Sequence, residues 1–233
     1  MREIIFDTET TGFDHQGDDR MVEIGCIEMV DRVMTGETYH CYYNPKRAMP
    51  SAAQQVHGLS DTFLSDKPIF DGKAEELLEF LGDSPLVAHN AAFDFGFLNR
   101  ELERCAREPL SLDRMIDTVA LARVKHPGAK LSLDALCTRY GIDRSHRVKH
   151  GALLDAELLC HVYIELTGGR QIGLGLADDK ASETAEPELG SKTAKDRPFR
   201  EARPHSASEE ELARHASFLE NIDKPIWNSG RRS

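Results

Sequence analysis

No stretch of this chain approaches the length and apolarity of a membrane-spanning helix, and no two cysteines stand at C-x-x-C spacing. The first absence argues against a helical membrane protein. The second leaves five cysteines (Cys26, Cys41, Cys105, Cys137, Cys160) scattered, against a zinc site or a disulfide framework and in keeping with a reducing compartment. Residues 1–3 run straight into a predicted strand with nothing like a signal peptide, so the expected location is the cytoplasm. Positive charge is also scarce: 29 Lys and Arg face 40 Asp and Glu, a net charge of −11. That balance is wrong for a protein that holds nucleic acid by neutralising phosphates alone. It leaves room for an enzyme that meets phosphate through bound divalent cations.

What is present suffices for one packed domain with appendages, since 40% of the 233 residues are hydrophobic. Residues 2–6 have the β-branched and aromatic character of a buried strand. Residues 21–29 alternate as a second strand and 38–43 as a third, with residues 35–37 expected as the turn between them and Asn44-Pro45 as the stop. A short helix is expected over 51–56 and a clearer one over 72–81, with Leu77, Leu78 and Leu81 inward. A buried strand at 86–89 leads into a helix that carries Phe97, Leu98 and Leu102 inward and ends near Pro109. A fifth strand at 115–118, and helices over 119–124, 132–140 and 152–167, complete a domain of residues 1–170. Antiparallel strands first, then strands alternating with helices, predict an α/β fold with a mixed sheet flanked by helices.

The predicted first strand ends in Asp7-Thr8-Glu9. Residues i and i+2 of a strand share a face, so two carboxylates aim at one spot. Like charges there repel unless a cation lies between them. Thr10, Thr11 and Gly12 add hydroxyls, backbone N–H groups and a flexible turn. Asp94 follows the 86–89 strand, and Asp155 sits in the apolar run 151–156, where a lone charge is costly. Four acids at the edges of core elements point to a shared metal site, and oxygen ligands without a cysteine cluster suit Mg²⁺ or Mn²⁺. His150, five residues before Asp155, belongs on the loop ahead of the helix, where a neutral imidazole could take a proton from water. Arg144, Arg147 and Lys149 make its surroundings positive.

Three segments together resemble the signatures of the DEDDh-type 3′→5′ exonucleases: D-x-E-T-T-G over residues 7–12, N-A-x-F-D over 90–94 and H-x-x-x-x-D over 150–155. The resemblance implies a ribonuclease H-like fold and hydrolysis of a phosphodiester from a 3′ end to release nucleoside 5′-monophosphates, with two divalent cations per site. It makes Asp7 a ligand of both cations, assigns Glu9 and Asp155 to the one beside the attacking water, and Asp94 to the second. It makes His150 the general base, and His57 a contact to the terminal nucleotide with Val56 and Phe93 lining the base pocket. Thr10 and Thr11 join the acids in facing the substrate. One departure is Ala52, five residues before His57, where some relatives carry a substrate-contacting Glu.

Beyond residue 170 the composition changes. Within the family, residues 150–157 and 167–171 resemble the proofreading subunits of bacterial replicative polymerases. Residues 171–176 form a Q-x-x-L-x-L pattern (Gln171, Leu174, Leu176) similar to peptides that bind sliding clamps. Residues 177–205 are rich in charged, small and Pro residues and read as a flexible linker. Residues 206–233 resemble a tail that docks on the catalytic alpha subunit of polymerase III. The tail has a capping-box start at Ser208, a stripe of Leu212, Ala216, Leu219 and Ile222, and then Trp227, the one tryptophan in the chain. A small accessory subunit is a further partner left open by the sequence. Competing readings are a stand-alone nucleic-acid trimmer and an assembly module without catalysis. The linker and tail oppose the first, and the complete acid set opposes the second.

Overall fold

The computed structural model describes residues 1–145, 147, 149–168 and 206–222. The chain divides into two units, Met1–Leu176 and Ala177–Ser233. In the first, β1 (Arg2–Thr10), β2 (Met21–Val30) and β3 (Val33–Tyr42) are followed by α1 (Ser51–His57), α2 (Asp61–Leu64) and α3 (Ala74–Leu81). Then come β4 (Leu86–Ala88), α4 (Ala91–Arg104), β5 (Met115–Asp117), α5 (Thr118–Lys125), α6 (Leu133–Tyr140) and α7 (Ala152–Leu166). The sheet has five strands in the order β3-β2-β1-β4-β5. β1 is antiparallel to β2 and parallel to β4, and β4 is parallel to β5.

A strand with neighbours on both sides and helices on both faces has to be dry, and β1 is. Ile4 and Phe6 pack with Leu77, Leu81, Leu98 and Leu102 of α3 and α4. Ile5 packs on the opposite face with Leu136, Leu159 and Val162 of α6 and α7. Each such side chain contributes roughly 1.5–3 kcal/mol relative to exposure, so the central strand is among the most firmly held parts of the molecule. The alternation continues into the polar end. Thr8 follows Ile4 and Phe6 to the α4 face, where it meets Asp94. Asp7 and Glu9 follow Ile5 to the face of α7.

Local sequence explains the helix boundaries. Asn90 caps α4 in the left-handed region (φ 64°, ψ 51°), a conformation that Asn tolerates better than most residues. Ser132 starts α6 by accepting from Ala135 N–H, and Gly141 ends it at φ 66°. The loop between β1 and β2 is pinned to α4 by Arg20, which forks on buried Glu101 with both N···O distances at 2.7 Å. Arg104 joins the same carboxylate and donates to the Gly17 carbonyl, so the segment after Gly12 is held against α4.

The structure corrects several expectations. β3 begins at Val33, and the β2–β3 turn is Asp31-Arg32 (φ 50° and 66°), not residues 35–37. Both turn residues adopt the positive φ of a two-residue hairpin loop. Gly36 (φ +94°) lies inside the strand, near the register shift between Ile27 and Met29. β1 keeps Asp7 and Glu9 as strand residues, as expected, and runs one residue further, through Thr10. α4 stops at Arg104, where Cys105 and the left-handed Ala106 end it before Pro109 is reached. His57 is the last residue of α1, not the first after it.

In the second unit, α8 (Glu209–Glu220) begins at Ser208 with a complete capping box to Glu211. Leu212 and Ala216 of the expected stripe are exposed, as is Phe218, while Leu219 and Ile222 are half-buried. Gln171, Leu174, Leu176, the 177–205 segment and Trp227 lie outside the described residues.

β2 and α7 touch at Gly25, opposite Asp7 in the ladder. A Cβ there would sit 2.3 Å from Leu153 N and 2.4 Å from Leu153 Cα, both main-chain atoms at the start of α7. Gly25→Ala should therefore lower the melting temperature by several degrees, since overpacking of this kind costs roughly 1–3 kcal/mol. A thermal melt by circular dichroism checks this, and an unchanged midpoint would contradict the close approach.

Candidate active site

The acids of the three motif segments gather at the C-terminal end of β1. Asp7 and Glu9 come from the strand, Asp94 from the first turn of α4 and Asp155 from the first turn of α7. Asp94 and Asp155 are each only 3% exposed. The Asp7 carboxyl is held well above the usual carboxylate range, first by burial and then by the charges of Asp94, Glu9, Asp155 and Glu23. Burial, then Asp155, Glu23 and Asp94, push Glu9 up to about 8, with Arg147 pulling the other way. Burial raises Asp94 to about 7, opposed by the Thr8 hydroxyl and backbone N–H, which donate to its Oδ1 at 2.7 and 3.1 Å.

Glu9, His150 and Asp155 each offer one ligand atom within 4.8 Å of the others. His150 stands on the loop ahead of α7, as its spacing from Asp155 predicts, with its side chain 46% exposed. Beside it, Arg147 forks on Asp155 and reaches Asp134 at 2.7 Å and His150 Nδ1 at 2.7 Å. His57 lies buried at the end of α1. Its Nδ1 accepts from Leu59 N–H, and its Nε2 is buried without a hydrogen-bond partner. Burial, above all, lowers its pKa, with His150 and Lys149 among the lesser causes, so α1 approaches the loop that carries His150. Lys149 lies against Gly58, which confirms that contact.

Other expected contacts divide. Phe93 is half-buried and Val56 is 48% exposed, so both offer apolar surface. The Thr10 hydroxyl donates to Gly12 O at 2.6 Å and the Thr11 hydroxyl to Asp19 at 3.1 Å, so both shape the turn beside the acids. Three neighbours escaped the sequence reading. Glu23 is 2% exposed, faces Glu9 in the antiparallel ladder and bonds His40 at 2.8 Å. Phe13 is 88% exposed and its ring centroid lies 6.3 Å from that of Phe93. Arg147, which the sequence shows only as part of the positive surroundings of His150, binds Asp155 directly. An aromatic directly after the T-T-G turn was the available signal for Phe13; nothing local marks Glu23, whose position is a matter of strand register.

The donor set suits a hard divalent cation. It consists of carboxylate oxygens with one imidazole and no thiolate. Burial and then the neighbouring acids raise Asp7 and Glu9, and among the described residues the guanidinium hydrogen bonded within the group, that of Arg147, engages Asp155 alone of them. Buried carboxylates in this proportion call for added positive charge.

A pH dependence follows for the metal-free protein. With Glu9 at about 8 and Asp94 at about 7, the folded state keeps protons that the unfolded chain has released at the same pH. Stability from these groups is complete below the ordinary carboxylate range and is lost as pH rises through the folded values. Chelator-treated protein should thus melt at progressively lower temperature from about pH 5 to about pH 8. Saturating divalent cation should flatten that slope, and Asp7→Asn should reduce it. A melting temperature that rises over this range would contradict the assignment.

Comparison with known proteins places this geometry. Residues 4–163 match the family model described as Exonuclease. The DNA polymerase III subunit epsilon of Rickettsia felis is 47% identical over 227 residues, covering 96% of this chain and 98% of its own length. The subunit of the same name from Escherichia coli is 40% identical over 230 residues, covering 96% and 94%. Among solved structures, exonuclease X in complex with 5′ overhanging duplex DNA superposes with a TM-score of 0.56 at 26% identity, over 71% of this chain and 90% of that one. Escherichia coli exonuclease I, at 17% identity and a TM-score of 0.61 over 70% of this chain and 40% of its own, shares the fold. With the mixed sheet, the helices on both faces and the acid-lined strand end, these matches show a ribonuclease H-like exonuclease fold, and the chain belongs to the exonuclease family as one of its DNA polymerase III epsilon subunits.

Proposed function

We propose that the protein removes mispaired 3′-terminal nucleotides from DNA as 5′-monophosphates, as the proofreading subunit of a replicative polymerase in the cytoplasm. The observation that carries this reading is the meeting of Asp7, Glu9, Asp94, Asp155 and His150, from three separate segments, at one end of the central strand. The near end-to-end match to epsilon subunits supports the polymerase setting.

Asp7, Glu9, Asp94 and Asp155 would hold two divalent cations, Mg²⁺ or Mn²⁺, which when bound supply charge neutralisation at the phosphate and a more acidic water. The chain's own residues do the rest. His150 takes the proton as the water oxygen bonds to phosphorus, the bond from phosphorus to the 3′ oxygen of the preceding nucleotide breaks, and that oxygen takes a proton from solvent to leave as a hydroxyl. His57, whose buried Nε2 has no well-formed hydrogen-bond partner beyond the nearby Thr10 backbone, would hydrogen bond the terminal nucleotide. Val56, Phe93 and the exposed ring of Phe13 offer apolar surface for its base. Among the described residues no helix is long and apolar enough to cross a membrane.

Outside the catalytic unit, Gln171, Leu174 and Leu176 would bind the sliding clamp. Residues 177–205 would tether the domain, and Leu212, Leu219, Ile222 and Trp227 would dock on the polymerase alpha subunit. Ser208 and its capping box give that docking helix a defined start.

Asp7→Ala, Glu9→Ala and Asp155→Ala should each nearly abolish mononucleotide release from a mispaired primer, an activity that EDTA should also remove. His150→Ala should lower turnover by roughly a hundredfold, the usual scale for loss of a general base. Turnover close to wild type in any of the three acid variants would sink the metal assignment.

Deleting residues 206–233 should spare hydrolysis of a short single strand and eliminate binding to the alpha subunit. In the full chain, Trp227→Ala should cost at least ~2 kcal/mol of that affinity. Isothermal titration reads both, and undiminished binding by the truncated chain would place the docking surface elsewhere.

A further inference from the structure

Arg147 lies three residues before His150 and eight before Asp155, outside any helix or strand. Its side chain is only 9% exposed, which is unusual for an arginine on a loop. Nε donates to Asp155 Oδ1, and Nη2 donates to Asp155 Oδ2 at 2.6 Å. The same Nη2 lies 2.7 Å from His150 Nδ1, and Nη1 lies 2.7 Å from Asp134 Oδ1.

A guanidinium has donors and no acceptor, so His150 Nδ1 must be the acceptor in this contact. The proton of the neutral ring then sits on Nε2. Asp155 Oδ2 and His150 Nδ1 are 3.2 Å apart because both accept from one nitrogen of Arg147, not because they bond each other. The consequence bears on both groups at once. In this arrangement the basic lone pair of His150 and both oxygens of Asp155 are committed to one cation, and neither is free for the role proposed above.

We propose that Arg147 is a resident counter-ion that holds Asp155 and His150 together until a divalent cation takes Asp155, and that its withdrawal frees both residues in one step. This rests on the metal-dependent reading of the site. A divalent cation facing Asp155 weakens the fork, because the two positive groups repel and compete for the same oxygens. Losing the fork also removes the donor from His150 Nδ1, so ligand and base are released by the same displacement. Asp134, with its side chain 50% exposed on α6 and shared with Arg144, keeps a second hold on Nη1, so the guanidinium stays tethered as the fork opens. Arg147 is thus a positioning residue. It acts through Asp155 and His150, setting cation affinity and the imidazole tautomer.

The test uses the full-length chain, stripped of metal by chelation. Mn²⁺ affinity is measured by titration calorimetry for wild type, Arg147→Gln and Arg147→Lys. The glutamine variant should bind about tenfold more tightly, the scale of one charge-assisted hydrogen bond no longer in competition. The lysine variant, which keeps the charge without the fork, should fall between. Equal or weaker binding by Arg147→Gln would overturn the inference. Nitrogen-15 spectra of the histidine rings supply a second readout. In metal-free wild type, His150 should show the Nε2–H tautomer with a hydrogen-bonded Nδ1, and Mg²⁺ should remove that signature. If Arg147→Gln does not fold, the wild-type spectra still decide, and a His150 signal unmoved at saturating Mg²⁺ overturns the proposal. A wild type that binds no Mn²⁺ defeats the metal-dependent reading together with this one. A wild type that binds while the variant gains nothing defeats this one alone.

Discussion

The constraint on which the rest of the structure depends is the placing of like charges at the dry end of a central strand. Asp7 and Glu9 lie on the strand that has Ile5 and Phe6 fully buried within it, and Asp94 and Asp155 join them from two helices. Without added positive charge, burial first and the neighbouring acids next raise the pKa values of Asp7 and Glu9. A fold selected for stability alone would avoid this. The strain is local and is opposed by apolar packing on both faces of β1. The site can therefore remain mutually repulsive while its scaffold stays rigid, and that repulsion is what would make it a strong receptor for divalent cations.

Strand alternation explains how residues from both faces of the sheet reach one spot. Asp7 and Glu9 share the face of Ile5, where α7 packs and where Asp155 waits in its first turn. Thr8 is on the other face and captures Asp94 through its hydroxyl and its backbone N–H. The strand thus holds Asp94 with one face and presents its own acids with the other. β4 makes this possible by running parallel to β1, so that the chain leaving it enters α4 at the same end of the sheet. This is the location at which open α/β sheets gather their functional loops.

Much of this was legible in the sequence because it depends on short-range periodicity. The common face of Asp7 and Glu9 follows from the two-residue repeat of a strand, and the loop position of His150 from its five-residue step to Asp155. The fold class followed from the order of strands and helices. What was misread depends on geometry that a run of residue types does not determine. Gly36 resembles a turn residue, yet the hairpin closes at Asp31-Arg32 and leaves the glycine to a register shift. Pro109 resembles a helix stop, yet α4 ends five residues earlier at Arg104. Glu23 and Arg147 enter the site through strand register and loop path, and neither leaves a local pattern. Phe13 stands on the loop that Arg20 and Glu101 pin to α4, and that pairing spans 81 residues of sequence.

The same contacts bear on how an acidic protein could act on a polyanion. Several arginines of the catalytic unit are already engaged: Arg20 and Arg104 with Glu101, Arg47 with Asp19, and Arg147 with Asp155 and Asp134. Arginines committed in this way release few counterions on meeting DNA, so their contribution to a stand-alone grip is small. Under the proposed function this is an advantage. A proofreading nuclease that held every primer end tightly would degrade correctly paired ones, whereas one tethered to the polymerase needs only a high local concentration at the terminus. Weak affinity then lets the state of the primer decide, because a frayed mispaired end reaches the buried acids more readily than a paired one. The net charge of −11, which at first argues against nucleic acid, fits an enzyme whose hold on DNA comes from its cations and its partner.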